Sequence, residues 1–446
     1  MQKKYFGTDG IRAPSNSLKL NGLTMMRLGM ALGKIFTKGS HRHRVVIGKD
    51  TRLSGYTIEQ ALTSGLLSMG LDVLLLGPIP TPGVAMLAKS MRADLGIMIS
   101  ASHNSYLDNG IKIFDKNGNK LPDEVEIEIE NLMDSSIEEH LVNPMNMGRA
   151  KRLEDANARY IEFQKNTFPK KLNLEGLKIV LDCANGAAYK SAPIILWELG
   201  AEVITLGVEP NGLNINYDCG STFPENISKK VIEEKADIGI SLDGDGDRII
   251  ICDEKGKIID GDQILGLLAL HWKKYEQLSV NAIVATSMSN LGLENILKEN
   301  KIKLYRARVG DRYVKDMMLD IDANVGGEQS GHIILRDFIA TGDGMITALQ
   351  VLRIIIEKKQ LASKTLNVFD PIPQKLVNFN VKNDKVLNDT KTITMINSWK
   401  NILGDKGRLV ARMSGTESLL RVMIECKCPT ILDKIASEVD SFFINL

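Results

Sequence analysis

An alternation of strand-like and helix-like segments, begun three times, constrains this chain more than any other feature. "RVVIGKD" (44–50) reads as a buried strand, "TIEQALTSGLLSMG" as a helix, "LDVLLLG" as a strand, "GVAMLAKSMR" as a helix and "ADLGIMIS" as a strand. Strands separated by helices pair in parallel, because a parallel neighbour needs a long crossover. The alternation restarts at "LKIVLDCANG" (177–186) and again at "DQILGLLALHWKKY". The spacing is roughly 100 residues, without evident identity between copies, so three similar units fit better than one giant sheet. The prolines of "DPIPQKL" (370–376) break the pattern. After them come a strand-like "KLVNFNV", a helix-like "TITMINSWKNI", two strand-like runs around "SGTE" and a last helix. The expected fold class is α/β: three similar domains with mixed, mostly parallel sheets at 1–154, 155–257 and 258–369, and a smaller α+β domain at 370–446.

Charge and composition narrow the function. The 56 basic and 55 acidic residues leave a net charge of +1, which argues against nucleic-acid binding by bulk electrostatics. Small anions remain within reach of local clusters. No apolar run reaches the roughly 18 residues of a membrane span, and "MQKKYFGTDGIRA" lacks the apolar core of an export signal. The five cysteines (Cys183, Cys219, Cys252, Cys426 and Cys428) are odd in number and scattered, which fits a reducing cytoplasm better than a disulfide framework. Cys426 and Cys428 have no second Cys/His pair at zinc spacing.

The sharpest chemical signal is "SLDGDGDRIII" (241–251), where Asp243, Asp245 and Asp247 alternate with glycine at the end of a strand-like run. Carboxylates this close repel one another and are tolerated when solvated or holding a cation. Oxygen ligands suit Mg²⁺, Mn²⁺ or Ca²⁺. An EF-hand shares the D-x-D-x-D start, with Glu254 at its twelfth position, but Arg248 stands where that loop needs glycine and the flanks read as strands. Arg248 beside the carboxylates points to an anion in the same site. "SASHNSYLDNGIKIF" (100–114) follows the apolar "ADLGIMI", and open α/β sheets bind ligands at the carboxyl ends of their strands. Ser102 is a candidate nucleophile, yet no G-x-S-x-G elbow surrounds it, and His103 is an immediate neighbour poorly placed to activate it. Beside a metal-holding loop, Ser102 reads better as the carrier of a phosphoryl group whose oxygen completes the metal's shell.

In "GGEQSGHIIL" (326–335), Glu328 and Ser330 alternate across glycines, an arrangement that grips sugar hydroxyls or else makes only a β-turn. In "ARMSGTESLLRVMIE" (411–425), Ser414, Gly415 and Thr416 offer hydroxyls and N–H groups between two strands, flanked by Arg412 and Arg421. Such nests bind phosphate, and the alternative is a plain hairpin turn. Arg12 in "FGTDGIRA", Arg52 in "GKDTRLSG" and Arg312 in "VGDRYV" read singly as structural, and "SHRHR" (40–44) reads as a solvated loop.

Taken in order, the serine loop, the acidic loop, "GGEQSGH" and "RMSGTES" resemble the α-D-phosphohexomutase family along the whole chain. The resemblance implies four domains around one central cleft and a phosphoserine at Ser102. It implies one Mg²⁺ per chain on Asp243, Asp245, Asp247 and an oxygen of the modified Ser102. It places Glu328, Ser330 and His332 at the sugar, and Arg412, Ser414, Gly415, Thr416 and Arg421 at the non-reacting phosphate. Lys112, Arg12 and His103 are the implied acid/base candidates, with Arg248 assisting charge neutralisation. Within the family, "FGTDGIR", "CGST", "DGDQI", "VGDRYV" and "GGEQSGH" are most similar to the branch that interconverts α-D-glucosamine 1-phosphate and D-glucosamine 6-phosphate. That branch serves cytoplasmic UDP-N-acetylglucosamine and cell-wall (peptidoglycan) precursor synthesis in bacteria. The implied partners are a small sugar phosphate and a glucosamine or glucose 1,6-bisphosphate primer, with no nucleic acid or membrane, in a monomer or homodimer. The rival within the family acts on mannose or glucose phosphates. Ser105, Met413 and Ser418 depart from prolines usual in the family's loops, and Phe223 stands where this branch usually has histidine.

Overall fold

The computed structural model describes residues 3–7, 9–381, 386–413 and 419–444. Four sheets follow one another along the chain. The first orders its strands as Phe6–Gly7, Gly10–Pro14, Asp108–Asp115, Leu95–Ile99, Arg44–Lys49, Asp72–Pro78 and Ala150–Arg152. Pairing is parallel from Leu95–Ile99 onward and antiparallel before it. The second runs Ile258–Ile259, Ile249–Asp253, Ile238–Leu242, Lys178–Asp182 and Glu202–Leu206, and the third Lys303–Ala307, Ala282–Thr286, Val325–Gly327 and Ile333–Leu335. Both again mix parallel and antiparallel pairs. The fourth, Gln374–Asn380, Leu419–Cys426 and Gly407–Met413, is wholly antiparallel. Three α/β units and a smaller α+β unit are therefore present, as the alternation predicts.

The central strands show why the pattern was readable. Leu95–Ile99, Ile238–Leu242 and Ala282–Thr286 are buried at every residue, the mark of strands covered on both faces. Helices start where side chains satisfy free N–H groups: Asn21 accepts from Thr24 N, Asp260 from Gln263 N and Asp389 from Thr392 N. One continuous core joins the second and third units, running from Ile179 and Ile240 through the helices Gly261–Lys274 and Gly344–Lys358 to Ile283 and Val325. The first and fourth units keep cores of their own, and a further cluster on the first sheet takes in Ala156, Tyr160 and Ala187 of the second unit. No helix of the described residues is long and apolar enough to cross a membrane.

Asp343 stitches the second and third units together. It caps the helix Gly344–Lys358 by accepting from Ile346 N at 2.9 Å, and it accepts the Tyr160 hydroxyl at 2.7 Å and Gln164 Nε2 at 2.8 Å. Burial lifts its carboxyl from the ordinary 3.8 to about 6 against those donors. Between the two values the folded chain keeps a proton that the unfolded chain releases. The stabilisation from that proton is full below about pH 4 and is lost as pH rises through about 6. Asp343→Asn retains a capping oxygen and cannot titrate. Its melting temperature is expected to vary less than the wild type's across this window, and an unchanged slope in pH-resolved melts would refute the assignment.

Candidate active site

The site is built where strand ends from the first and second sheets meet. Leaving the strand Leu95–Ile99, the chain turns sharply and sets Ser102 at φ 52°, a left-handed conformation that is costly for a residue with a Cβ. Two buried side chains hold it there. Arg52 Nη2 donates to the carbonyls of Ser102 (3.2 Å) and Asn104 (2.6 Å), while its Nη1 pairs with Asp50 and reaches Ser100 Oγ. Asn216 Nδ2, from the second unit, donates to the same two carbonyls at 2.8 and 2.9 Å. The structural reading of Arg52 agrees with its hold on this loop, and Asn216, which carries no signal in the sequence, shares that hold. Arg52→Lys keeps the charge and loses the planar fork. We expect kcat to fall roughly 10–100-fold with KM little changed, because a small displacement of a reacting atom is that costly. Steady-state kinetics beside a melting curve checks this.

The acidic loop joins the antiparallel strands Ile238–Leu242 and Ile249–Asp253. Asp243, Asp245 and Asp247 are all buried, with one oxygen of each within 4.8 Å of the others. Ser102 Oγ donates to Asp243 Oδ2 at 2.7 Å, joining the two loops. Gly244 is a glycine for a steric reason: a Cβ there would lie 2.6 Å from the Ser102 carbonyl oxygen. Burial, then repulsion from Asp245 and Asp247, pushes the Asp243 carboxyl up to about 8. Asp245 Oδ1 and Asp247 Oδ1 are buried without a hydrogen-bond partner. A divalent cation with a taste for oxygen ligands answers both conditions at once. Glu254, the would-be twelfth EF-hand residue, instead accepts from Ser363 N at 2.8 Å and from its hydroxyl.

Cations surround the carboxylates. Lys112 Nζ donates to Asp245 Oδ2 at 2.8 Å and Asp247 Oδ2 at 2.9 Å. Burial opposes its charge, but Asp245, Asp247 and Asp9 together hold its pKa well above the usual value. Arg248 Nε stands 4.0 Å from Asp247 Oδ1, and its charge is likewise sustained against burial by Asp247, Asp243 and Glu328. Arg12 reaches Asn104 Oδ1 at 3.3 Å and Asp9 Oδ2 at 3.4 Å, at the flank of the serine loop. His103 Nδ1 lies 3.4 Å from Ser102 Oγ, and burial with Arg248 and Arg12 nearby pushes this imidazole down to about 3. His332 Nδ1 is 3.6 Å from Asp247 Oδ1 and Nε2 is 3.7 Å from Asp311 Oδ2, so it belongs to the site's electrostatics rather than to strand packing alone. Asp9, Lys120 and Asp311 complete this wall through two ion pairs of Lys120. Sequence reading passed over all three. Asp9 and Asp311 stand in the arginine-bearing motifs "FGTDGIRA" and "VGDRYV", whereas Lys120 stands in no motif; Arg312 bonds to Leu121 O and Glu126 across the first and third units.

The residues expected at the sugar and at the non-reacting phosphate come from the third and fourth units. "GGEQSGHIIL" is a hairpin, with Gly327 paired to Ile333 and Glu328 in its turn. Glu328 Oε1 accepts Gly310 N at 3.0 Å and Oε2 lies 3.5 Å from Ser330 Oγ. Arg412 and Arg421 are cross-strand partners in the fourth sheet. Burial and Arg421 lower the pKa of Arg412, while Glu328 from the third unit supports its charge. Ser414, Gly415 and Thr416 lie outside the described residues.

Comparison with known proteins matches all four units to one family. Residues 3–140, 158–256, 260–371 and 376–441 fit the family models for phosphoglucomutase/phosphomannomutase α/β/α domains I, II and III and the C-terminal domain. A phosphoglucosamine mutase of Parvibaculum lavamentivorans is 57% identical over 439 residues, covering 98% of each chain. One from Granulibacter bethesdensis is 53% identical, covering 98% of this chain and 96% of its own. Among solved structures, a phosphoglucomutase/phosphomannomutase family protein from Burkholderia thailandensis superposes with TM-score 0.82 at 24% identity, covering 98% of this chain and 96% of its own.

Proposed function

This chain belongs to the phosphoglucomutase/phosphomannomutase family, and from that premise we propose that it interconverts D-glucosamine 6-phosphate and α-D-glucosamine 1-phosphate through a phosphoserine at Ser102 and a 1,6-bisphosphate. The chain is an isomerase, an intramolecular phosphotransferase. The observation that carries the residue assignment is Ser102 Oγ, held 2.7 Å from the first carboxylate of a buried, cation-demanding loop.

In the first half-reaction, a hydroxyl oxygen of the sugar phosphate attacks the phosphorus on Ser102. One P–O bond forms on the sugar as the P–Oγ bond breaks, and the hydroxyl's proton ends on Ser102 Oγ. The bisphosphate then presents its other end, and the same exchange runs backward. Between the halves that proton stays on Ser102 Oγ, and His103, with Nδ1 at 3.4 Å, is the nearest ring nitrogen to relay it as the phosphoryl group leaves and returns. Lys112 and Arg248 neutralise phosphoryl charge from two sides, and Arg12 orients the serine loop. Asp243, Asp245, Asp247 and a phosphoserine oxygen would hold Mg²⁺, which draws charge from the phosphoryl oxygens. Glu328 and Ser330 accept from or donate to sugar hydroxyls, His332 faces the same cleft, and Arg412 with Arg421 holds the phosphate that is not reacting. A clamp that recognises phosphate rather than one sugar position serves both orientations of the intermediate. The larger assignments, cytoplasmic cell-wall precursor synthesis and action as a monomer or homodimer, rest on the family resemblance.

The test is a mutase assay on glucosamine 6-phosphate with and without a glucosamine or glucose 1,6-bisphosphate primer, combined with mass spectrometry of the Ser102 peptide. Turnover stimulated by primer, with one phosphoryl group on that peptide, is expected. Higher kcat/KM on mannose or glucose phosphates would move the chain to the rival branch. An unmodified, fully active Ser102 peptide would remove the mechanism.

A further inference from the structure

"SHRHR" is not a solvated loop throughout. His43 is buried, 6% exposed, and neither of its ring nitrogens has a hydrogen-bond partner. The fold explains its position. Arg44–Lys49 and Leu95–Ile99 are adjacent parallel strands with Val45 opposite Leu95, so the residues just before them, His43 and Asp94, meet at the amino ends. His41 Nε2 lies 2.9 Å from Asp94 Oδ1, and His43 Nδ1 lies 3.3 Å from the same oxygen. The two imidazole rings are 4.0 Å apart between centroids. The other carboxylate oxygen, Oδ2, accepts from Arg44 N at 2.8 Å, which fixes the aim of Asp94. The nearby Arg42 is turned away onto Asp72, with Nη2 to Oδ1 at 2.8 Å.

We propose that His41, His43 and Asp94 form a binding site for a transition cation of the Zn²⁺ class, separate from the active centre. Two imidazoles and one carboxylate are the donor set that Zn²⁺, Co²⁺, Ni²⁺ and Cu²⁺ prefer, whereas Mg²⁺ favours oxygen alone. One ligand atom from each residue lies within 4.8 Å of the others. Ligands about 2.0–2.1 Å from a tetrahedral Zn²⁺ stand roughly 3.3 Å apart; His43 Nδ1 already has that separation from Asp94 Oδ1, and His41 Nε2 is within a few tenths of an ångström of it. The cation would also take up one of the two unmatched nitrogens of the buried His43, which are otherwise costly. His41, with its side chain 62% exposed, leaves the fourth position facing solvent. The serine loop leaves the carboxyl end of Leu95–Ile99, a strand length of roughly 17 Å from Asp94 at about 3.3 Å per residue, and the acidic loop of the second sheet meets it there. The two sites therefore differ in place and in chemistry, one hard and one borderline.

The full chain, kept in saturating Mg²⁺, is titrated with Zn²⁺ against the chromogenic chelator 4-(2-pyridylazo)resorcinol, and with Co²⁺ while visible absorption is followed. One Zn²⁺ per chain and a Co²⁺ band of nitrogen–oxygen coordination are expected. His41→Ala, an exposed change that leaves folding and mutase turnover unaltered, is expected to weaken Zn²⁺ binding by about tenfold or more and to erase the band. Asp94→Asn should do the same, whereas Asp245→Asn should leave both readouts as in the wild type. Absence of Zn²⁺ binding in the wild type, or equal affinity in the wild type and His41→Ala, overturns the proposal. The exposed His41 keeps the test decisive even where His43→Ala fails to fold.

Discussion

Ser102→Ala is expected to lower kcat by roughly 10⁴-fold or more, on the scale of other lost covalent nucleophiles, while leaving a folded protein. The backbone argument supports the second half of that statement. Ser102 sits at φ 52°, which is as awkward for serine as for alanine, so the change adds no strain. The clamps of Arg52 and Asn216 act on carbonyls that alanine retains. What disappears is one hydrogen bond to Asp243 and the oxygen that carries the phosphoryl group. A melting temperature within a few degrees of the wild type, with no phosphorylated peptide at position 102, completes the expected result. Turnover within tenfold of the wild type would mean that another atom carries the phosphoryl group.

Asp245→Asn is expected to act in opposite directions on activity and on the stability of the chelated protein. Activity should fall about 10²–10³-fold, the usual effect of removing one electrostatic element of a preorganised site. The loop loses one of three carboxylates, and Lys112 loses the charge of one of its two acceptors. With divalent ions chelated, however, the variant should melt higher than the wild type. Asp243 is pushed up to about 8 by burial and then by its neighbours Asp245 and Asp247, so removing one neighbouring charge relieves it. Adding Mg²⁺ should then stabilise the variant less than the wild type. Paired melts with chelator and with Mg²⁺ read this directly. Equal stabilisation of both proteins by Mg²⁺ would refute the assignment of Asp245 as a ligand.

What the sequence disclosed followed from locality. A strand buried on both faces is a continuous apolar run, and three carboxylates within five residues cannot hide. Ser102 was legible because its loop closes such a strand. The supports of the site were not legible, because each acts on something distant. Arg52 reaches a loop 50 residues away and Asn216 reaches it from another unit, yet each sits in an ordinary polar turn. Asp9, Lys120 and Asp311 acquire meaning only when the first and third units are brought together. His43 escaped for a similar reason: five polar letters look solvated until the second letter of a neighbouring strand's leader, Asp94, comes to lie beside them. The shared core of the second and third units is equally invisible along the chain, since three repeats read as three separate cores.

The close seat of the Ser102 carbonyl against Gly244 has a mechanical consequence. With Thr81 N also donating to Asp245 O at 2.9 Å and Lys112 bridging two acidic side chains, the first two units are keyed into each other at the very point of reaction. They form an anvil braced from both units. On the bisphosphate route proposed above, room for the intermediate to exchange its ends would come from the last unit, which Arg408 and Glu425 hold to the third at the 287–291 segment. Loosening that hinge should change how fast the jaw swings while leaving the anvil's geometry untouched.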